Sequence, residues 1–113
     1  MLEIEPVCRI TGIEKATLLR ASHIKPWRAC ESAQERLDGF NGLMLAPHAD
    51  FLFDRGLISF EDDGRVLFSD RLADEDASKL GLHQIERPPP WPFRPESGPF
   101  FQHHRVNVFI HRP

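Results

Sequence analysis

This chain of 113 residues holds only two cysteines, Cys8 and Cys30. Two are too few to staple a small fold, and they form no Cys-x-x-Cys pair, which excludes a disulfide scaffold and a zinc knuckle. They read as two reduced thiols, with a single disulfide between them as the alternative. Long apolar runs are also missing: none approaches the ~18 residues that a membrane span needs. The opening Met1-Leu2-Glu3-Ile4-Glu5-Pro6 has no basic stretch leading into an apolar one, so it does not read as a secretory signal, and a cytoplasmic location is the expectation. The abrupt start is that expected of a fragment of a longer protein. No internal repeat and no dense basic run is present.

Against these absences stands ordinary globular material. Hydrophobic residues make up 41%, with nine Phe and two Trp, so one domain of 1–113 can bury a core without staples. The net charge of −3 is unevenly spread. Residues 1–60 hold seven Lys/Arg against eight Asp/Glu, residues 61–86 three against eight, and residues 87–113 four against one. The acidic excess therefore sits in the middle of the chain. A divalent cation on two acids of the first segment would turn that segment positive, and nucleic-acid affinity is expected to be modest and salt-sensitive.

The residues that carry chemistry cluster early. His23 lies in Ser22-His23-Ile24-Lys25-Pro26-Trp27, Asn41 in Phe40-Asn41-Gly42-Leu43-Met44-Leu45, and two acids in Pro47-His48-Ala49-Asp50-Phe51-Leu52-Phe53-Asp54-Arg55-Gly56. Cleaving a phosphodiester requires a base to aim a water and a cation to take up charge, and one imidazole with two carboxylates can provide both. Each residue also has a plainer reading. His23 can be a packed histidine beside Trp27. Asn41-Gly42 is a common hairpin turn. Asp50 and Asp54 can be a solvated helix face.

The local patterns place these residues. Cys8 to Thr11 reads as a short strand turning at Gly12. Thr17 to Ile24 reads as a strand stopped by Pro26. Glu31 to Asp38 is a short helix or a solvated loop. Gly42 to Ala46 is the second strand of a hairpin, and Pro47 opens a helix that Gly56 closes after Arg55. Asp50 and Asp54 are then i and i+4, on one face. Leu57–Phe60 and Arg65–Phe68 flank an Asp-Gly turn and form a second hairpin. Ser69 or Asp70 caps a helix running to Lys79, Arg87–Pro99 is an extended Pro-rich strap, and Phe100–Ile110 is a terminal helix or a strand.

The ordered motifs resemble the HNH endonuclease family, in its bacterial branch with His-Ile-x-Pro, Asn-Gly-Leu and Pro-His-x-Asp-x-x-Phe-Asp-x-Gly. Cys8-Arg9-Ile10-Thr11-Gly12, Leu57-Ile58-Ser59-Phe60 and the late His104-Arg105-Val106-Asn107-Val108-Phe109 fit the same branch. The resemblance is dense over about 7–72 and returns near the end. It implies an α+β fold with a ββα-metal core, an added β-hairpin, and a C-terminal Pro-rich strap and helix over 87–113. It implies a DNA endonuclease, restriction-associated or nicking, with double-stranded DNA as partner and a homodimer as one arrangement. His23 would be the general base and Asn41 the amide that orients it. Asp50 and Asp54 would hold the metal, and His48 at the start of the same helix reads as a further ligand, a DNA contact or a plain helix-start residue. Carboxylates favour Mg²⁺ or Mn²⁺, with Zn²⁺ or Ni²⁺ as alternatives.

Arg20, Lys25, Arg28 and Arg55 are the candidate phosphate contacts, each weighed against a solvated charge, and Trp27 either stacks on sugar or base or packs as a core or lid residue. His103, His104 and His111 read as non-ligands, and Arg105 as a brace of the fold. The family often has an Asp or His ligand just before the base, where this chain has Ser22. That departure keeps alive a binding module with weak or no cleavage. An RNA-directed or toxin-like nuclease is the other alternative.

Overall fold

A computed structural model describes residues 4–82 and 90–110. It is a small α+β structure of two two-stranded antiparallel sheets and several helices. Strand β1 (Arg20–His23) pairs with β2 (Gly42–Leu45), with Arg20 opposite Leu45 and His23 opposite Gly42. Between them lies helix α1 (Ala33–Leu37), capped by the Ser32 hydroxyl, which accepts from the Glu35 N–H. Helix α2 (Pro47–Asp54) follows β2 after one residue and packs on β1 and β2. Strands β3 (Ile58–Phe60) and β4 (Val66–Phe68) form the second hairpin. Helix α3 (Asp74–Lys79) comes next, and helix α4 (Gly98–His103) runs on into a π-helical turn, His104–Val108. Among the described residues no helix is long and apolar enough to cross a membrane.

Several expectations are corrected. Residues 8–11 form a turn, closed by Gly12 N–H to the Cys8 carbonyl at 2.7 Å, because no neighbouring strand is there to pair with them. The strand expected from Thr17 starts only at Arg20, after a 3₁₀ turn over Ala16–Leu18. Helix α3 starts at Asp74, since the Ser69 hydroxyl accepts from Arg71 N–H and donates to the Ile110 carbonyl and so is not a helix cap. Of the strap Arg87–Pro99, residues 87–89 lie outside the described part, 90–94 carry no regular secondary structure, Pro95–Ser97 form a 3₁₀ turn, and Gly98 and Pro99 already belong to α4, where Pro99 sits in the first turn and needs no N–H. Cys8 and Cys30 are buried and free.

The core is built from β2, the inner face of α2, and the second hairpin. Leu43, Leu45, Ala49, Leu52, Phe53, Ile58, Phe60 and Phe101 are all buried in it. Phe60 meets Phe93 and Phe101 edge-on. The strap is anchored by Arg9, which pairs with buried Glu5, donates to the Trp91 carbonyl, and stacks against the Trp91 and Phe93 rings.

The C-terminal segment clamps the end of α2. His104 is fully buried, lies parallel to Phe53 at 3.8 Å, and donates from Nε2 to the Phe53 carbonyl at 2.8 Å. A carbonyl can only accept, so Nδ1 is bare and takes the Ser59 hydroxyl proton at 2.7 Å. Gly56 sits at φ +75°, and a Cβ there would overlap the Val108 carbonyl oxygen, so the chain end lies directly over the turn that stops α2. Ile110 N–H closes the contact on the Gly56 carbonyl at 2.8 Å.

Burial lowers the His104 pKa to about 4. A His with a depressed folded-state value favours the folded state only while neutral. Its contribution is complete above the ordinary His range near 6.5 and is lost as pH falls toward 4. The shift corresponds to roughly 3 kcal/mol. Urea unfolding at pH 7 and pH 4.5 is expected to show that loss in the parent and a much flatter pH dependence in His104→Gln. Equal slopes in the two proteins would contradict the clamp.

Candidate active site

Hairpin β1–β2 and helix α2 enclose a cleft of about 460 Å³, lined by Arg20, Ala21, Ser22, His23, Pro26, Trp27, Arg28, Asp50, Asp54 and Arg55. The cleft thus holds the imidazole, both carboxylates and three of the four basic residues singled out from the sequence. A second, smaller hollow of about 310 Å³ near Arg9 and Trp91 lies against the second hairpin, and none of these groups lines it.

His23 ends β1, where pairing stops opposite Gly42 and the side chain leaves the sheet. Its Nε2 lies 3.1 Å from the Arg36 carbonyl. That acceptor fixes the neutral tautomer with hydrogen on Nε2 and a bare lone pair on Nδ1, the form that can take a proton. The Trp27 ring stands edge-on to the imidazole at 5.4 Å and is 53% exposed, so it flanks the imidazole while remaining open to solvent. Arg36 ties the two together. Its guanidinium lies over the Trp27 ring, its Nε donates to the Trp27 carbonyl, and its own carbonyl holds His23.

Asn41 does not play the part expected of it. Its amide oxygen accepts from Lys25 N–H at 2.7 Å. Its Nδ2 reaches the Glu35 carbonyl at 3.3 Å and the Lys25 carbonyl at 3.4 Å, with Cys30 Sγ at 3.5 Å. The residue is fully buried beneath the connection between the two strands. The imidazole finds its acceptor on Arg36 instead. Asn41 therefore acts on His23 through the backbone: it holds carbonyl 35, and the next carbonyl along holds the ring.

Asp50 and Asp54 face the cleft one helical turn apart. The Asp54 pKa is raised, first by desolvation and then by the negative charge of Asp50, with Arg28, Arg20 and His23 pulling the other way. Arg20 Nε lies 3.4 Å from Asp50 Oδ2. His48, on the same helix, is not among the residues that line the cleft. Lys25 is not in it either. Its Nζ pairs with Glu35 at 2.6 Å, which raises the Lys25 pKa and lowers that of Glu35, and the residue borders a separate hollow with His103. Among the described residues no three His, Cys, Asp or Glu side chains gather into a metal-ligand cluster.

Two residues carry roles that sequence reasoning missed. Arg36 was unremarkable in a polar stretch, and no spacing rule connects it to His23. Ser22 was noted only as a weak substitute for a ligand, yet it lines the cleft and is buried.

With this geometry in place, the comparison with known proteins adds one finding. Residues 8–61 match the family model described as HNH endonuclease, which shows the resemblance carried by the motifs over the stretch that contains every cleft residue. No curated protein matches the chain.

Removing the Asn41 amide leaves the buried Lys25 N–H without its acceptor and takes one donor from each of the carbonyls of Lys25 and Glu35, which keep the Cys30 thiol and the Asp38 N–H. Asn41→Ala is expected to cost about 2–4 kcal/mol in urea unfolding. A change under about 0.5 kcal/mol, the range of ordinary surface substitutions, would remove Asn41 from its place at the centre of the loop.

Proposed function

We propose that this member of the HNH endonuclease family hydrolyses phosphodiester bonds in DNA, with His23 as general base and a divalent cation on Asp50 and Asp54. The supporting observation is the convergence of His23, Asp50 and Asp54 with three arginines in one cleft. Strands β1 and β2 with helix α2 are read as the ββα-metal core, the second hairpin and the C-terminal segment as additions, and the chain as one nuclease domain.

The donor set fits a hard cation. Mg²⁺ keeps most of its waters and is commonly held by one or two carboxylates, and two carboxylates are what the cleft offers, so Mg²⁺ or Mn²⁺ is favoured over Zn²⁺ or Ni²⁺. Bound there, the ion would neutralise charge that builds on the phosphate and leaving oxygen. The chain's own groups do the rest. His23, held through Nε2–H, keeps Nδ1 free to take a proton from the attacking water. Arg28 and Arg55 border the cleft and form no ion pair among those of the described residues, which leaves them to hold the phosphate. Trp27 and Phe51, each 53% exposed and each backed by an arginine, offer apolar edges beside the cleft for sugar or base.

The absence of a three-residue ligand cluster among the described residues favours one second reading, a nucleic-acid-binding module with weak or no cleavage. Nicking of supercoiled plasmid separates the two, with structured RNA as the parallel substrate. The parent chain is expected to nick plasmid in Mg²⁺ or Mn²⁺ and to stop in EDTA. His23→Ala should lose about 10²- to 10⁴-fold in rate, the usual contribution of a positioned base. DNA binding with no nicking under any divalent cation would transfer the case to the binding module.

Acidity gives a second check. The raised Asp54 pKa means that the pair loses its full negative charge sooner on acidification than two isolated aspartates would. Mn²⁺ affinity measured by calorimetry should therefore fall as the pH is lowered from 7 into the carboxylate range. Asp50→Asn should weaken it throughout and move the fall to lower pH, since one of the two causes that raise Asp54 is removed. Affinity that does not change through the whole carboxylate range would overturn the pair as the ligands.

A further inference from the structure

We propose that Ser22 is a phosphate-binding residue, its hydroxyl donating to a non-bridging oxygen of a phosphodiester seated in the cleft. This rests on the nucleic-acid reading above and assigns a residue to the substrate that the base and the carboxylates do not account for.

Ser22 is 2% exposed and lies on β1 opposite Leu43, directly before His23. Its Oγ is the one buried side-chain nitrogen or oxygen without a hydrogen-bond partner among the described residues. Native folds rarely keep such a group, because desolvating a hydroxyl without replacing its hydrogen bond is destabilising. Other serines of this chain show the usual outcome. Ser59 bonds His104 at 2.7 Å, and Ser69 donates to the Ile110 carbonyl at 2.7 Å. Ser22 differs from both in lining the cleft. A change of rotamer about its Cα–Cβ bond is enough to redirect the oxygen.

The surroundings select the ligand. Arg20, Arg28 and Arg55 outnumber Asp50 and Asp54 on the same walls, with Arg20 already beside Asp50, so the balance of charge favours an anion, and serine hydroxyls are common donors to phosphate oxygens. A neutral hydroxyl adds direction without charge. For a hard divalent cation it is a poor competitor to the two carboxylates already present.

The test compares the full chain with Ser22→Ala and, as a control for an internally bonded serine, Ser59→Ala. Thermal midpoints, anisotropy of a labelled duplex in EDTA, Mn²⁺ calorimetry and single-turnover nicking are measured for each. Ser22→Ala is expected to melt at or above the parent, to bind duplex about tenfold more weakly and nick about tenfold more slowly, as for loss of one hydrogen bond to a charged group, and to keep its Mn²⁺ affinity. Ser59→Ala should melt lower. The proposal is overturned if Ser22→Ala binds and nicks like the parent, if it melts lower as Ser59→Ala does, or if it loses Mn²⁺ affinity with duplex binding intact. A parent chain that nicks normally while Ser22→Ala is unchanged rejects the Ser22 role alone. A parent that neither binds nor nicks rejects the nuclease reading beneath it.

Discussion

The buried Asn41 amide is the constraint on which the cleft depends. One planar group, cut off from water, satisfies the backbone at both ends of a ten-residue excursion from β1, at Lys25 and at Glu35. Nothing else in that region repeats regularly enough to hold it. Helix α1 has five residues, too short to be stable without support, and its flank Trp27–Ala29 is a single 3₁₀ turn. The amide and the Ile24 N–H bond to the Asn41 carbonyl together decide where the excursion begins and ends. Because the Glu35 carbonyl is held, the Arg36 carbonyl beside it is aimed, and the tautomer of His23 follows. A chemical property of the imidazole, which nitrogen carries hydrogen, is thus set from beneath the strands by a residue the ring does not touch.

The opposite wall is fixed by different means. Helix α2 carries both carboxylates on its outer face and buries Ala49, Leu52 and Phe53 on its inner face. Pro47 starts it and Gly56 stops it, while His104 and the segment over Gly56 hold its last turn to the second hairpin. The distant His-Arg element near the chain end therefore has a structural office. His104 ties α2 to β3, and Arg105 donates to the Phe60 carbonyl and pairs with Asp62. The charge of Asp50 adds to desolvation in raising the pKa of Asp54 one turn along, and the clamp fixes the turn of helix that carries Asp54.

How much of this was legible follows from the range of each interaction. The hairpin, α2 and the placement of Asp50 and Asp54 were readable because Pro47, Gly56 and the i, i+4 spacing are local signals. The same arithmetic could have removed His48. It stands about 200° around the helix from Asp50 at 100° per residue, on a different face. Asn41 was identified but given the wrong partner, since an Asn-Gly turn and a buried loop clamp look alike in one dimension. From sequence Lys25 reads as a phosphate contact or a solvated charge, because its partner Glu35 lies ten residues away with no periodic link. The π-helical turn and the unpartnered Ser22 hydroxyl could not be foreseen, as both depend on which distant atoms arrive beside them.

Charge shows the same contrast between whole and part. A chain of net charge −3 is an unpromising partner for a polyanion. The cleft, however, gathers three arginines and two aspartates, a local balance of opposite sign to that of the chain. The described part of the acidic stretch, residues 61–82, covers the β3–β4 turn, β4 and α3, elements that contribute nothing to the cleft lining. Exposed charges further apart than about 8 Å are largely screened at physiological salt. What a phosphate meets at the cleft mouth is therefore set by Arg20, Arg28, Arg55, Asp50 and Asp54, and the composition of the rest governs solubility more than recognition. For the same reason, adding positive charge to the acidic half would change net charge and solubility without changing the alignment of His23, which the Arg36 carbonyl holds.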